Sequence, residues 1–329
     1  MLDSNQSQTN ITVGLQYQGL LGMVMFSILT SVPCCVFLFI NGTMLFTLRS
    51  KPVFRETSRY ILLYNLLFAD TVHLAQSQLM YILAVCRLRL IYPVCGFLIM
   101  LANLTNNISP LTLVVMSLER YVAVCYPLRH ATIITIRNTG VAIMVVWGFN
   151  SLNIITQVLL LSNVHFENSE SLQMEDFCGK ESMLLDPISD YYDKAFTCFL
   201  FVAAGVTVTC NYIGVMITAR SASTDQDSAR KSRNTLLLHL VQLGLSLSST
   251  IHNPLLVAVS KVLDRIMTVR IQTVLYVCMI ILPRCLSSLI YGIRDQTIRP
   301  VLVYHLCFQW RRSPLLEVVP AKPKIMLVT

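Results

Sequence analysis

Charge is scarce in this chain: Asp, Glu, Lys and Arg supply 13% of its 329 residues, while 54% are hydrophobic and the mean hydropathy is +0.62. Soluble domains carry roughly twice that share of charge, so the scarcity excludes an ordinary water-soluble fold and points to a bilayer. Catalytic patterns are missing as well. There is no G-x-S-x-G, no phosphate-binding G-x-x-x-x-G-K-[ST] and no H-E-x-x-H, and an enzyme is not expected. The eleven cysteines include no C-x-x-C pair and no Cys/His cluster at metal-ligand spacing, which removes a zinc site. The first 19 residues lack Lys and Arg, so no cleavable leader is expected and the first apolar segment serves as the signal. Repeats, low-complexity tracts and a second domain are absent too. The net charge of +8 lies in short segments between apolar runs, which fits membrane orientation and not a nucleic-acid surface.

What the chain has is long apolar runs. A helix needs about 20 mostly apolar residues to cross the hydrocarbon core, and seven segments qualify, at about 20–48, 60–85, 92–122, 139–161, 195–219, 235–259 and 271–293. The expected fold is an all-α membrane protein, a seven-transmembrane helix bundle. It divides into an N-terminal segment 1–19, a seven-span bundle 20–293 and a C-terminal segment 294–329. Of the 25 Lys and Arg residues, 17 fall in alternate loops and the tail, which the positive-inside rule puts in the cytoplasm. The N-terminus is therefore extracellular, and the sequons at Asn5 and Asn10 agree, because glycans are added on that side. Those at Asn41, Asn103 and Asn107 lie within spans and should stay bare.

The loop 162–194 is long and acidic. Its Cys178 and the Cys95 near the outer end of the third span share an oxidising compartment, where they either bridge or stay as two thiols. Polar groups inside spans are functional candidates, because each needs a partner away from water. The inner layer holds Asn41, Asp70, Ser109, Asn150, Asn211, Tyr212, His239, Ser287 and Tyr291. Asp70 is a lone mid-span carboxylate: either it meets a cation, with sodium held by Asp70, Ser109 and Ser287, or it is a hydrogen-bond hub. The outer layer holds His73, Asn103, Asn106, Asn107, Thr207, Thr250, His252, Asn253 and Tyr276 among Met, Phe and Leu. Such a mixture suits a mostly apolar small-molecule cavity, or simply glue between helices. Glu119-Arg120 ends the third apolar run. It reads either as a switch that releases Arg120 to an intracellular partner or as a plain interfacial ion pair.

These residues carry a resemblance. Asn41, Leu66 to Asp70, Cys95 ahead of Arg120, Trp147 and Tyr291 resemble rhodopsin-class G-protein-coupled receptors. The run Leu118-Glu119-Arg120-Tyr121-Val122-Ala123-Val124-Cys125-Tyr126-Pro127-Leu128-Arg129-His130 is similar to the odorant-receptor signature, as are Lys231 to His239-Leu240 and Leu282-Pro283 to Asp295. The wording Ser58-Arg59-Tyr60-Ile61-Leu62 and Leu282-Pro283-Arg284 resembles odorant receptors abundant in fish.

The resemblance implies that a small-molecule odorant settles between the outer helix halves, near Asn103, Asn106, Asn107, Thr207, Thr250, Asn253 and Tyr276. It implies that Glu119, Arg120, Tyr121, Tyr212, His239 and Tyr291 form the switch toward a heterotrimeric G protein of the stimulatory olfactory type. The membrane lipid around it would be that of the plasma membrane, in cilia of olfactory sensory neurons. No cofactor is implied beyond an allosteric sodium ion. The chain departs from the family pattern at Ser287-Ser288, where Asn-Pro is usual, and in having a single cysteine in the second outer loop. Ala102 and the absence of Lys from the seventh span disfavour amine receptors and opsins. Cys307 reads equally as a palmitoylation site or a lipid-facing thiol. The rival readings are a non-olfactory small-ligand receptor, and a seven-span transporter or channel with Asp70 and Arg284 on an ion path.

Overall fold

The computed structural model describes the backbone of residues 2–86, 88–168, 178, 187–221, parts of 234–263, 265–295 and 297–308. Among these residues the chain is helical almost throughout. The first helix, α1, runs Leu2–Ser50, 49 residues, with Pro33 inside it. The segment 1–19 is helix from Leu2 onward, continuous with the first span. A short α2, Pro52–Arg55, leads into α3, Ser58–Val85, and after a turn α4 runs Tyr92–Cys125. Proline stands at the start of both α2 and α4, where its missing N–H costs nothing. A tight helical turn Pro127–Arg129 and α5, His130–Ile133, connect to α6, Ile136–Asn168, followed by α7, Pro187–Ser221. The sixth span is described in part, as helix within 234–259. Then come α8, Arg265–Leu275, a π-helical stretch Tyr276–Ile281, α9, Leu282–Arg294, and α10, Ile298–Phe308.

Five of the described helical segments are long and apolar enough to cross a bilayer: Ser27–Ser50, Tyr92–Cys125, Ile136–Leu160, Pro187–Thr218 and Arg270–Gly292. The 28-residue α3 has the length, but it buries Asn65, Asp70, His73, Gln76 and Gln78, and that polar stripe lowers its hydropathy. The fourth and fifth helices outrun their expected limits, shortening the outer loop. Pro187 opens α7, and Asp190 sits in its first turn, where a carboxylate meets the positive end of the helix dipole and pairs with Lys194 at 2.5 Å.

The bundle packs around α4, which contacts α3, α6 and α7. The inner core joins Met44, Leu48, Leu63, Leu66, Leu67, Leu113, Met116 and Tyr291. Facing outward, Met25, Phe39, Met144, Leu152, Phe199 and Ile217 are each at least half exposed. In water such a belt would drive aggregation; around a bundle of this length it is the lipid-facing surface. Close approach explains one glycine. A Cβ on Gly292 would meet Leu302 Cδ2 at 2.5 Å, so the missing side chain is what lets α10 lie against α9. Asp295 caps α10 by accepting hydrogen bonds from the backbone N–H of Thr297 at 2.9 Å and Ile298 at 3.3 Å. Beside that helix the His305 ring meets Phe46 edge-on at 5.1 Å, and burial together with nearby Lys51 lowers its pKa.

Candidate functional site

At the inner end of α4, Arg120 Nε stands 3.2 Å from Glu119 Oε2. The Glu119 carboxylate is also 3.9 Å from His130 Nε2, so α5 and the turn before it close over the acid. Two neighbouring charges at the end of a helix shield one another, which makes this depth tolerable where a lone central charge costs roughly 2.5 to 3.5 kcal/mol. Around the pair, α7 is fastened to α4 by two side-chain bonds. Asn211 Nδ2 donates to Ser117 Oγ at 2.9 Å, and Cys125 Sγ lies 3.3 Å from Thr218 Oγ1. The Tyr121 ring lies against Gly214, where an added Cβ would come within 2.5 Å of it. Tyr291 donates to Gln242 Oε1 of the sixth span at 3.3 Å, and Tyr212 is half-buried on α7 beside Asn211. A second ion pair, Arg59–Asp295 at 3.2 Å, ties α3 to the start of α10, and Tyr60 donates to the same carboxylate at 3.4 Å.

Mid-membrane, the polar residues form one network. Arg284 Nη1 donates to Asp70 Oδ1 at 2.6 Å and to Ser109 Oγ at 2.9 Å, and Arg284 Nη2 donates to Asn106 Oδ1 at 2.5 Å. Ser109 donates to Asp70 Oδ1 at 2.6 Å, and Ser249 of the sixth span donates to Asn106 Oδ1 at 3.3 Å. Arg284 is 1% exposed and Asp70 2%. The side chain reaches this site because Pro283 and the π-helical stretch before it reset the helical phase of the seventh span. The counter-charge of Asp70 is therefore a residue of the chain itself, on two of the oxygens assigned from sequence to sodium. The third expected ligand, Ser287, has a side chain outside the described residues. A neighbouring girder sets the second, third and fourth spans: Trp147 Nε1 donates to Asn65 Oδ1 at 2.9 Å, and Asn65 Nδ2 to Thr112 Oγ1 at 3.0 Å.

On the outer side, Cys95 and Cys178 form a disulfide with Cα atoms 5.6 Å apart across 83 residues. In the chain-entropy model, closing a loop of that size stabilises the fold by about 4.5 kcal/mol.

The model of the 7 transmembrane receptor (rhodopsin family) matches residues 40–291. Odorant receptor 131-2 of Danio rerio is 30% identical over 271 residues, covering 82% of each chain. Olfactory receptor-like protein I9 of Rattus norvegicus is 24% identical over 268 residues, 77% of this chain and 80% of that one. The chain belongs to the rhodopsin family of seven-transmembrane receptors, in its odorant-receptor branch. It is a multi-pass membrane receptor and not an enzyme, and its family works through a small-molecule ligand and a G protein.

The receptor's expected ligand residues divide in the structure. Asn103 Nδ2 donates to Gln157 Oε1 at 3.2 Å, and Gln157 donates on to the buried Asp193 at 3.1 Å, giving a chain across α4, α6 and α7. Asn106 faces Arg284, and Asn107 is buried. Thr207 turns its hydroxyl back to Ala203 O at 2.8 Å. Tyr276 stacks on Tyr81 with ring centroids 5.6 Å apart and packs with Cys34 and Leu74, toward α1 and α3. Thr250, Asn253 and the coupling candidate His239 lie outside the described residues. Gln157, Asp193, Gln242 and Asp295 were not among the expected site residues. Of these only Asp295 carried a local signal, a capping residue directly ahead of an apolar helix.

Proposed function

We propose that this receptor binds a small odorant in the outer half of the bundle and activates a heterotrimeric G protein of the stimulatory olfactory type. The observation that supports it most is the closed Glu119–Arg120 pair on the inner rim, with His130 also beside the Glu119 carboxylate. An ion pair with its arginine side chain 20% exposed is held but reachable, which a residue that must be released to a partner requires. Ligand binding acts by differential affinity: an odorant that fits better when the inner ends of the fifth and sixth spans part shifts the population toward that form. Asn103 and Asn106 stand above this rim on α4 and are the polar groups through which the odorant is oriented, with Asn107, Thr207, Thr250, Asn253 and Tyr276 as further candidates. Tyr212, His239 and Tyr291 receive Arg120 once it is freed.

The same reading puts the receptor in the plasma membrane of olfactory cilia, with glycans at Asn5 and Asn10 outside and 294–329 inside. The experiment is cAMP in cells expressing the full chain with the olfactory stimulatory Gα, challenged with water-soluble and volatile odorants. A ligand-dependent rise is expected. A rise that persists without that Gα, or ion flux in its place, would favour a different effector.

A further inference from the structure

We propose that Arg284 is a built-in cation that takes the place of a diffusible sodium ion in the middle of this receptor, so that the receptor is insensitive to sodium. The oxygens that converge there are a hard-cation donor set: Asp70 carboxylate, Ser109 hydroxyl and Asn106 amide oxygen. Each of them is within 2.5 to 2.9 Å of a guanidinium nitrogen of Arg284. An ion on the same oxygens would have to displace a charged group already hydrogen-bonded to all three. The site is also dry, with Arg284 and Asp70 at 1% and 2% exposure, so a displaced guanidinium has no water in which to rest.

Tethering changes what the site can do. A free ion leaves or binds as its concentration changes, and its effect scales with that concentration. A guanidinium anchored on α9 cannot leave, and it holds α3, α4 and the seventh span together at all salt concentrations. Through Asn106 the same group reaches Ser249, so the fixed charge also sets the sixth span against α4. The chemistry predicts the converse too. Removing the guanidinium leaves Asp70, Ser109 and Asn106 as an anionic oxygen cage, and a sodium-sized cation is then the ligand it takes.

The test needs neither odorant nor G protein, so its failure is distinct from failure of the signalling reading. Full-length receptor in lipid nanodiscs is melted in sodium chloride from 0 to 300 mM, with choline chloride keeping ionic strength constant. Wild type should show no midpoint change attributable to sodium. Arg284→Ser should gain a sodium-dependent rise of roughly 2 °C or more over that range, and Arg284→Lys, which restores a tethered cation, should be flat. If Arg284→Ser does not accumulate, Arg284→Gln carries the same arm, because it too removes the positive charge and its amide oxygen can join the oxygens that hold the cation. A sodium-dependent midpoint in wild type overturns the proposal, and that arm requires no variant to fold. A folded Arg284→Ser or Arg284→Gln protein that is indifferent to sodium overturns it as well.

Discussion

Replacing Asp70 with Asn leaves Arg284 buried with no counter-charge, and the size of the resulting loss can be worked from the structure. The pair is 2.6 Å apart with both side chains 2% exposed, so water cannot compensate for the missing charge. Breaking one partner of a buried pair costs about 3 to 5 kcal/mol. At roughly 1.5 °C per kcal/mol for a chain of 329 residues, Asp70→Asn should lower the melting midpoint by about 4 to 8 °C. In sodium-free buffer Arg284→Gln should cost a similar amount, since it leaves the carboxylate without a counter-charge in the same buried site. The double variant, with two amides in hydrogen-bond reach, should recover most of the loss and sit within about 2 kcal/mol of wild type. The buried thiols Cys34 and Cys285 serve as reporters, because a thiol-reactive fluorophore reaches them only as the bundle opens. Additive losses, with the double variant as poor as the sum of the singles, would refute the claim that these two charges are held by each other.

Three further outcomes are expected. Trp147→Phe removes the donor to Asn65 and leaves a buried acceptor unpaired, so the midpoint should fall by an amount equivalent to about 1 to 3 kcal/mol in the same melting assay. Gly214→Leu places a side chain where the Tyr121 ring lies, and should reduce the maximal cAMP response at matched surface expression while leaving odorant potency near wild type. His305 has a lowered pKa in the folded receptor, so the undocked state binds a proton more readily. The contribution of the His305 contact to the docking of α10 is present above the ordinary histidine range and is lost as pH falls through it. Hydrogen exchange across 298–305 should therefore be faster at pH 5.5 than at pH 7.5, after correction for intrinsic rates, and His305→Phe should abolish the difference.

The spans were legible because hydrocarbon thickness imposes a length that soluble helices need not obey. Glu119 and Arg120 were legible because they are adjacent in sequence and end an apolar run, and the structure pairs them at 3.2 Å. The disulfide was one of two readings for Cys95 and Cys178, and the structure forms it. The pairing of Asp70 with Arg284 was not legible, although both stood on the ion path of a rival reading. Arg284 lies 214 residues away on another helix, and no local periodicity relates two spans in register. Its approach also depends on the π-helical stretch and Pro283, which shift which residues of the seventh span face inward. Helix ends differ from span ends for a simpler reason: hydropathy marks where lipid ends, whereas α6 and α7 continue until backbone bonding stops.

In the proposed mechanism Arg120, held by Glu119, is the group released to the G protein. The most direct measurement is odorant-driven and basal cAMP for wild type, Arg120→Ala and Glu119→Gln, each at matched surface expression with the olfactory stimulatory Gα. Arg120→Ala should abolish the response. Glu119→Gln weakens an ion pair by about 1 kcal/mol, and should raise basal cAMP roughly fivefold as the released form gains population. Full odorant signalling by Arg120→Ala, or a Glu119→Gln receptor with unchanged basal activity, would contradict it.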